Sequence, residues 1–181
     1  TCGYAGDLLS LVMSAGQPGM AWITVQTHMN VIAVATLHEM CCVVIPEGVT
    51  TLYDWTFDGC TNLQSITLPK SLTTIGESAF ENCTSLTSVE ILTLSKLGNF
   101  AFKGCTGLHN CSIGGDAQIP PGIFEGCSSL EKLNLLGNMS FSNWTIPGNF
   151  RDDFRPPFTG CSKLSEVVLG KGFTRIPGVT F

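Results

Sequence analysis

Phe57-Asp58-Gly59-Cys60-Thr61-Asn62-Leu63 is the stretch that decides the fold, because close copies of it return four times: Phe80 to Leu86 (FENCTSL), Phe102 to Leu108 (FKGCTGL), Phe124 to Leu130 (FEGCSSL) and Phe158 to Leu164 (FTGCSKL). The cysteines of these phrases stand at 60, 83, 105, 127 and 161, so the steps are 23, 22, 22 and 34. A fixed period in the low twenties indicates a stacked solenoid. After each phrase comes a short run with period 2: Ser65-Ile66-Thr67-Leu68, Ser88-Val89-Glu90-Ile91, Asn110-Cys111-Ser112-Ile113, Lys132-Leu133-Asn134-Leu135 and Glu166-Val167-Val168-Leu169. Each run reads as a strand of three to five residues with one apolar face, and one such strand per coil builds a parallel sheet along one side.

Working back from the phrase, an Ile or Leu stands five residues before the Phe: Leu52, Ile75, Leu97, Ile119 and Ile176, the last preceding Phe181. Small residues between these anchors, Thr56, Ala79 and Ala101, permit close approach of neighbouring coils. Pro46 and Pro69 follow strands, where a missing amide donor ends the ladder. Gly59, Gly104, Gly126 and Gly160, with Asn82 in their place once, precede the cysteine and predict a tight bend at positive φ. One degenerate coil lies upstream, since Met40 to Pro46 aligns with Leu63 to Pro69 at an offset of 23.

The anchor, the Ala-Phe pair, the Gly-Cys-Thr or Gly-Cys-Ser phrase, the Leu and the short strand ending in Pro resemble the BspA-like, or Treponema-type, leucine-rich repeat. The resemblance runs from about Val34 to Phe181. It implies a right-handed curved solenoid, a secreted or cell-surface location, adhesion to proteins in several members, and no catalytic residues. The expected organisation is an irregular capping segment over 1–33 and β-rich leucine-rich repeats over 34–181. An insertion interrupts the repeats at 136–157, and the last repeat is expected to be truncated at the C-terminus because residues 176–181 open a coil without its Gly-Cys phrase.

Composition narrows the function classes. The 181 residues carry nine Lys and Arg, fourteen Asp and Glu, a net charge of -5, and only 13% charged side chains. Such a surface does not attract phosphate backbones, so nucleic acid is not an expected partner. Gln26, His28 and Asn30 interrupt the apolar stretch 20–37, which argues against a membrane span. His28, His38 and His109 are scattered, and Cys41-Cys42 lacks the C-x-x-C spacing of a zinc site, so no metal or cofactor is expected. Five of the nine cysteines occupy one repeat position and read as a column of buried thiols, while Cys2 has Cys41 or Cys42 as possible partners. No Ser-His-Asp, Cys-His or paired-carboxylate arrangement points to an enzyme, and the adjacent Asp152-Asp153 reads as a solvated pair.

The candidate binding residues are therefore the outward strand positions and the insertion. The first outward column is Ser65, Ser88, Asn110, Lys132 and Glu166; the second is Thr67, Glu90, Ser112, Asn134 and Val168. In the insertion, Ile146 is read as the displaced anchor, and Phe141, Trp144, Phe150 and Phe154 stand beside Arg151 and Arg155. These rings either fold back and bury themselves or form a contact surface; on the second reading Phe141, Trp144, Arg151 and Arg155 join the site, as aromatic and Arg side chains do in binding hot spots. Asn138 and Asn143 begin N-x-S/T sequons in the insertion, where glycosylation is sterically open in a eukaryotic source. Two functions are consistent with this pattern. One is a recognition or adhesion module for a protein or glycan; the other is a structural repeat that self-associates through its solenoid ends.

Overall fold

In the computed structural model, residues 3–5, 21–23, 41–141 and 156–174 are described. Among them the elements are all strands: β1 (Gly3–Ala5), β2 (Ala21–Ile23), β3 (Cys42–Val44), β4 (Thr51–Leu52), β5 (Ser65–Thr67), β6 (Thr74–Ile75), β7 (Ser88–Leu94), β8 (Lys96–Leu97), β9 (Asn110–Gly115), β10 (Gln118–Ile119), β11 (Lys132–Gly137), β12 (Ser140–Phe141) and β13 (Glu166–Leu169). They stack in parallel, one strand per coil on the main face, with orders β1-β2-β3-β5 and β7-β9-β11-β13. The anchor residues form a second ladder, β4-β6-β8 and β10-β12. The repeat therefore folds as a parallel-strand solenoid without helices among the described residues.

The period-2 pattern fixes which side chains go in. Val89, Ile91, Cys111, Ile113, Leu133 and Leu135 are buried, and the residues between them face outward. Between the two strand ladders lies a column of stacked rings, Phe57, Phe80, Phe102 and Phe124, with successive centroids 5.3, 5.2 and 5.6 Å apart. Phe158 continues the stack at 6.1 Å. Full burial of each ring contributes about 2–3 kcal/mol from area alone, so the repeated Phe is the main apolar element of the coil.

The repeated Cys has a specific partner. Cys83, Cys105 and Cys127 each donate an S–H to the carbonyl of the Phe three residues upstream of the preceding coil's cysteine (Phe57, Phe80 and Phe102), all at 3.0 Å, and Cys161 does so to Phe124 at 3.2 Å. A small apolar side chain with one weak donor satisfies a buried carbonyl that Ala or Val would leave with one fewer bond. The column cysteines Cys83, Cys105, Cys127 and Cys161 are thus thiols that bind coil to coil. The bend before the cysteine is at positive φ as its residues predict: 70° at Gly59, 60° at Asn82, 72° at Gly104, 77° at Gly126 and 80° at Gly160.

Backbone bonds continue between coils outside the strands. Phe57 N–H reaches the Ala79 carbonyl (2.7 Å), and Phe80 N–H reaches that of Ala101 (2.8 Å). Gly59 and Gly104 repeat the pattern toward Glu81 and Glu125, both at 2.8 Å. Turn segments that would need helices or water to satisfy their amides elsewhere are satisfied here by the next copy of themselves.

Within 1–33, β1 and β2 continue the main sheet, since β1 pairs with β2 and β2 with β3 in parallel register. The expectations for the enlarged coil change. The residue at the anchor position of the enlarged coil is Phe141: Ser140 and Phe141 pair in register with Gln118 and Ile119, while Ile146, read as the displaced anchor, lies outside the described residues. The insertion consequently begins after Phe141 and not at 136. Phe141 is only 8% exposed, edge-on to Phe158 at 6.4 Å and tilted against Phe173 at 5.2 Å, so it belongs to the core and not to a contact surface. The sequence carried the signal in the step of 22 from Ile119 to Phe141; an Ile or Leu criterion at the anchor hides it.

The main sheet is divided, and the reason is a change of coil type. In the two coils with Pro46 and Pro69 the strand stops after three residues, and ten positions separate its start from the anchor (Cys42 to Leu52, Ser65 to Ile75). In the next three the separation is nine and strands run six or seven residues (Ser88 to Leu97, Asn110 to Ile119, Lys132 to Phe141). Where the two types meet, between β5 and β7, no strand pairing forms. On the other side of β7 the longer strand is absorbed by a bulge between Ile91 and Leu94 opposite β9. Gly115, at φ +128°, faces that bulge, and a Cβ there would collide with the Leu94 carbonyl oxygen.

Candidate functional site: the outward sheet face and the cleft at its break

Register brings most of the predicted residues onto one surface. Ser88, Asn110, Lys132 and Glu166 are aligned across β7, β9, β11 and β13, and so are Glu90, Ser112, Asn134 and Val168. With strands about 4.8 Å apart, two rows of four side chains make a patch roughly 15 Å long. Thr67 stands on β5, across the break. Lys132 and Glu166 are ion-paired at 3.1 Å and Asn134 Nδ2 donates to Ser112 Oγ at 3.0 Å. The ion pair is exposed and contributes at most about 1 kcal/mol.

Trp144, Arg151, Arg155 and Asn143 lie outside the described residues. Asn138 is exposed, with its side-chain amide donating to Asp116 Oδ1 at 3.2 Å, while the central sequon residue Met139 is fully buried.

The break between β5 and β7 is a cleft of about 440 Å³ on this same face, lined chiefly by Ile66, Thr67, Lys70, Ser88, Glu90 and Leu92. Leu92 is 48% exposed. Reading the strands as a continuous ladder misses this cleft; the two prolines and the shorter strand-to-anchor step are the signals that locate it.

Two further features were not anticipated. Tyr53 and Trp55, 58% and 46% exposed, stand on the turn after the first anchor. Trp55, Ser78, Phe100 and Gly122 hold the same turn position and all have positive φ, from 51° to 62°. The second feature is a charged column on the turn side, Asp58, Glu81, Lys103 and Glu125, one residue after each Phe. Lys103 Nζ is 2.9 Å from Glu81 Oε1. Burial pushes Asp58 up, and the nearby Glu81 charge adds to that. Burial acts the same way on Glu81, but the Ser78 hydrogen bond and Lys103 outweigh it and leave its carboxyl below the usual range. These contacts connect successive coils and leave no convergent acid-base arrangement.

Among the described residues no three His, Cys, Asp or Glu side chains are grouped to hold a metal ion, and no helix is long and apolar enough to cross a membrane. Desolvation raises the Cys83 and Cys111 thiols well above the ordinary value, with neighbouring thiols adding to it. Cys161, at the less covered end, is raised to about 12, again chiefly by burial. Burial thus favours the protonated thiol at these positions, and Cys83 and Cys161 donate to the carbonyls of Phe57 and Phe124.

Residues 38–144 match six copies of the BspA type leucine rich repeat region. The chain belongs to the BspA-type leucine-rich repeat family. Solved structures similar to this BspA-type chain include a leucine-rich repeat protein from Eubacterium ventriosum, with 24% identity and a TM-score of 0.60, over 74% of this chain and 34% of that one. The T. pallidum leucine rich repeat protein aligns with 25% identity and a TM-score of 0.54, over 83% of this chain and 64% of the other. A leucine rich cell surface protein from Faecalibacterium prausnitzii aligns with 25% identity and a TM-score of 0.56, over 75% and 32% respectively. The BspA-type chain thus spans from about a third to just under two thirds of these relatives' lengths. No curated protein matches it. Within the BspA-type array the repeated Phe, Cys and Leu positions are spent on coil stacking, and the outward strand positions are left to vary.

Proposed function

We propose that this BspA-type array is an extracellular or cell-surface recognition module that binds a protein or glycan through the outward face of β7, β9, β11 and β13, extended by the inserted segment. The observation that carries this reading is the contrast within one strand. Inward positions repeat as Val, Ile, Leu or Cys in every coil, whereas outward positions run Ser, Asn, Lys, Glu and Glu, Ser, Asn, Val. A surface with both signs of charge, amides and hydroxyls at fixed spacing suits a heterogeneous ligand better than a repeated polymer. The cell-surface relative from F. prausnitzii supports the location. The test is a binding screen against extracellular proteins and glycans with Glu90→Ala, Asn134→Ala and Trp144→Ala. Loss of binding in these variants at unchanged thermal stability is the expected result; a ligand bound equally by all three removes this face from the site.

A structural role within a larger assembly is the second reading. It is favoured by the sparse charge of the chain, only 13% of its residues, which leaves little repulsion between copies. Sedimentation at rising concentration and high salt tests it: ordered growth supports end-to-end assembly, and a constant monomer argues against it.

A further inference from the structure

We propose that the cleft between β5 and β7 binds an extended polypeptide segment whose main chain fills the missing rungs of the ladder. The proposal rests on the recognition reading and names its partner.

The backbone defines the ligand chemistry. In a parallel ladder, alternate residues turn their amide and carbonyl toward one neighbour and then the other. Ser65 N–H bonds to the Cys41 carbonyl (3.2 Å) and the Thr67 carbonyl accepts from Ile45 N–H (2.9 Å), so these two residues of β5 face β3. Ile66 and the Leu68 amide therefore face β7. On β7, the Thr87 carbonyl accepts from His109 N–H (3.0 Å), so by alternation Val89 and Ile91 face β9 and Ser88 and Glu90 face β5. No ladder joins these two sets. Donors and acceptors at strand spacing thus face a gap about three strand positions, or roughly 10 Å, long.

Contacts on both flanks hold the gap in shape. Before the strands, Thr87 N–H and its hydroxyl both donate to the Gln64 carbonyl at 3.2 Å. Beyond them, Thr93 Oγ1 donates to the Leu72 carbonyl at 2.7 Å and Ser95 N–H to that of Thr73 at 2.8 Å. A gap bonded at each end is preformed, which lowers the ordering cost of binding. A glycan ring offers hydroxyls but no alternating row of amides and carbonyls at strand spacing. A peptide main chain offers that row, and this is the mode by which sheet edges capture extended segments.

Side chains add selectivity. Lys70 and Glu90 are both exposed on the cleft, and no ion pair joins them to each other. Ile66 and Leu92 supply apolar contact between the charges. The fitting segment is short and extended, with an acidic residue toward Lys70, a basic residue toward Glu90 and an apolar side chain between.

The experiment is selection from a phage-displayed library of random linear peptides on the intact chain, followed by affinity measurement with the enriched peptides made synthetically. Enriched sequences are expected to carry that charge pattern. Glu90→Pro removes an amide that faces only the cleft, so it is expected to fold and to weaken binding about tenfold or more. Lys70→Glu is expected to weaken binding of acidic peptides by a similar factor, and Lys163→Ala, an exposed change outside both the cleft and the outward strand columns, to alter it less than twofold. In the unaltered chain, peptide binding is expected to slow deuterium exchange at the amides of Ile66, Ser88 and Glu90, a readout independent of any variant's folding. Failure to enrich any peptide, or peptides that bind Glu90→Pro and Lys70→Glu undiminished without protecting those amides, overturns the proposal. A ligand lost in Asn134→Ala but retained in Glu90→Pro overturns the cleft assignment while leaving recognition by the open face intact; insensitivity of every ligand to all of these changes removes both.

Discussion

Replacing a single ring in the phenylalanine column tests whether this solenoid is held by nearest-neighbour stacking. Phe102 is fully buried, with Phe80 at 5.2 Å and nearly parallel (1°) on one side and Phe124 at 5.6 Å on the other. Phe102→Ala removes the ring and leaves a cavity, a change that costs about 3–5 kcal/mol. Against a typical domain stability of about 5–15 kcal/mol that is too disruptive for a clean measurement, so the informative variant is Phe102→Leu. Leu restores most of the volume but forfeits two ring contacts at about 0.5–1.5 kcal/mol each, giving an expected loss of roughly 1–3 kcal/mol. The decisive assay is a double-mutant cycle by urea unfolding, followed by far-UV circular dichroism. Phe80→Leu with Phe102→Leu should show a coupling of about 0.5–1.5 kcal/mol, because each ring is the other's neighbour. Phe57→Leu with Phe102→Leu should add within about 0.3 kcal/mol, because Phe80 stands between them. If the adjacent pair is additive, or the separated pair couples as strongly, stacking is not what connects the coils and the reasoning fails.

Three other outcomes follow from the same geometry. Cys105→Ala, which deletes the thiol bonded to the Phe80 carbonyl, should cost about 1–2 kcal/mol in urea unfolding; and timed alkylation read by mass spectrometry should modify the half-exposed Cys42 first, Cys161 slowly, and Cys83, Cys105 and Cys127 only after unfolding. Gly115→Ala should lower the melting temperature more than Gly48→Ala, since both have positive φ but only the Gly115 site lacks room for a Cβ. The two column acids should respond to pH with opposite sign: Asp58, raised in the fold, costs stability once ionised, so Asp58→Asn should raise the melting temperature at pH 7 and have no effect below the carboxylate range. Glu81, lowered in the fold, stabilises above its ordinary value of 4.5 and loses that as pH falls through its folded value, so Glu81→Gln should lower the melting temperature at pH 7 and converge with the unaltered chain in acid.

Recognition of an outward surface therefore depends on features that differ in how visible they are. Glu90, Asn110, Ser112, Lys132, Asn134 and Glu166 are placed by alternation alone, because in a short parallel strand the period of 2 leaves one choice of face once the apolar residues are known. Phe141 shows the limit of pattern matching. Its ring looks like a hot-spot candidate beside Trp144, yet its backbone pairs with the preceding anchor and its ring packs edge-on against Phe158 in the core. The exposed Tyr53 and Trp55 were equally hidden, since no repeat position distinguishes an aromatic that caps a turn from one that enters the core.

Sequence by itself determined the coil: a repeated Phe to mark its period, Cys for a column of buried thiols, Gly or Asn for the positive-φ bend, and alternating apolar residues for the inward strand face. Each of these is a local requirement that a single repeat satisfies within its own two dozen residues or against an identical neighbour. Tertiary structure decided where identical neighbours stop. The pairing break between β5 and β7, the bulge that Gly115 accommodates and the anchor role of Phe141 all arise from the fit between unlike coils. That fit is set by strand length and hydrogen-bond register between two segments about 22 residues apart, a relation that no one segment carries in its own sequence.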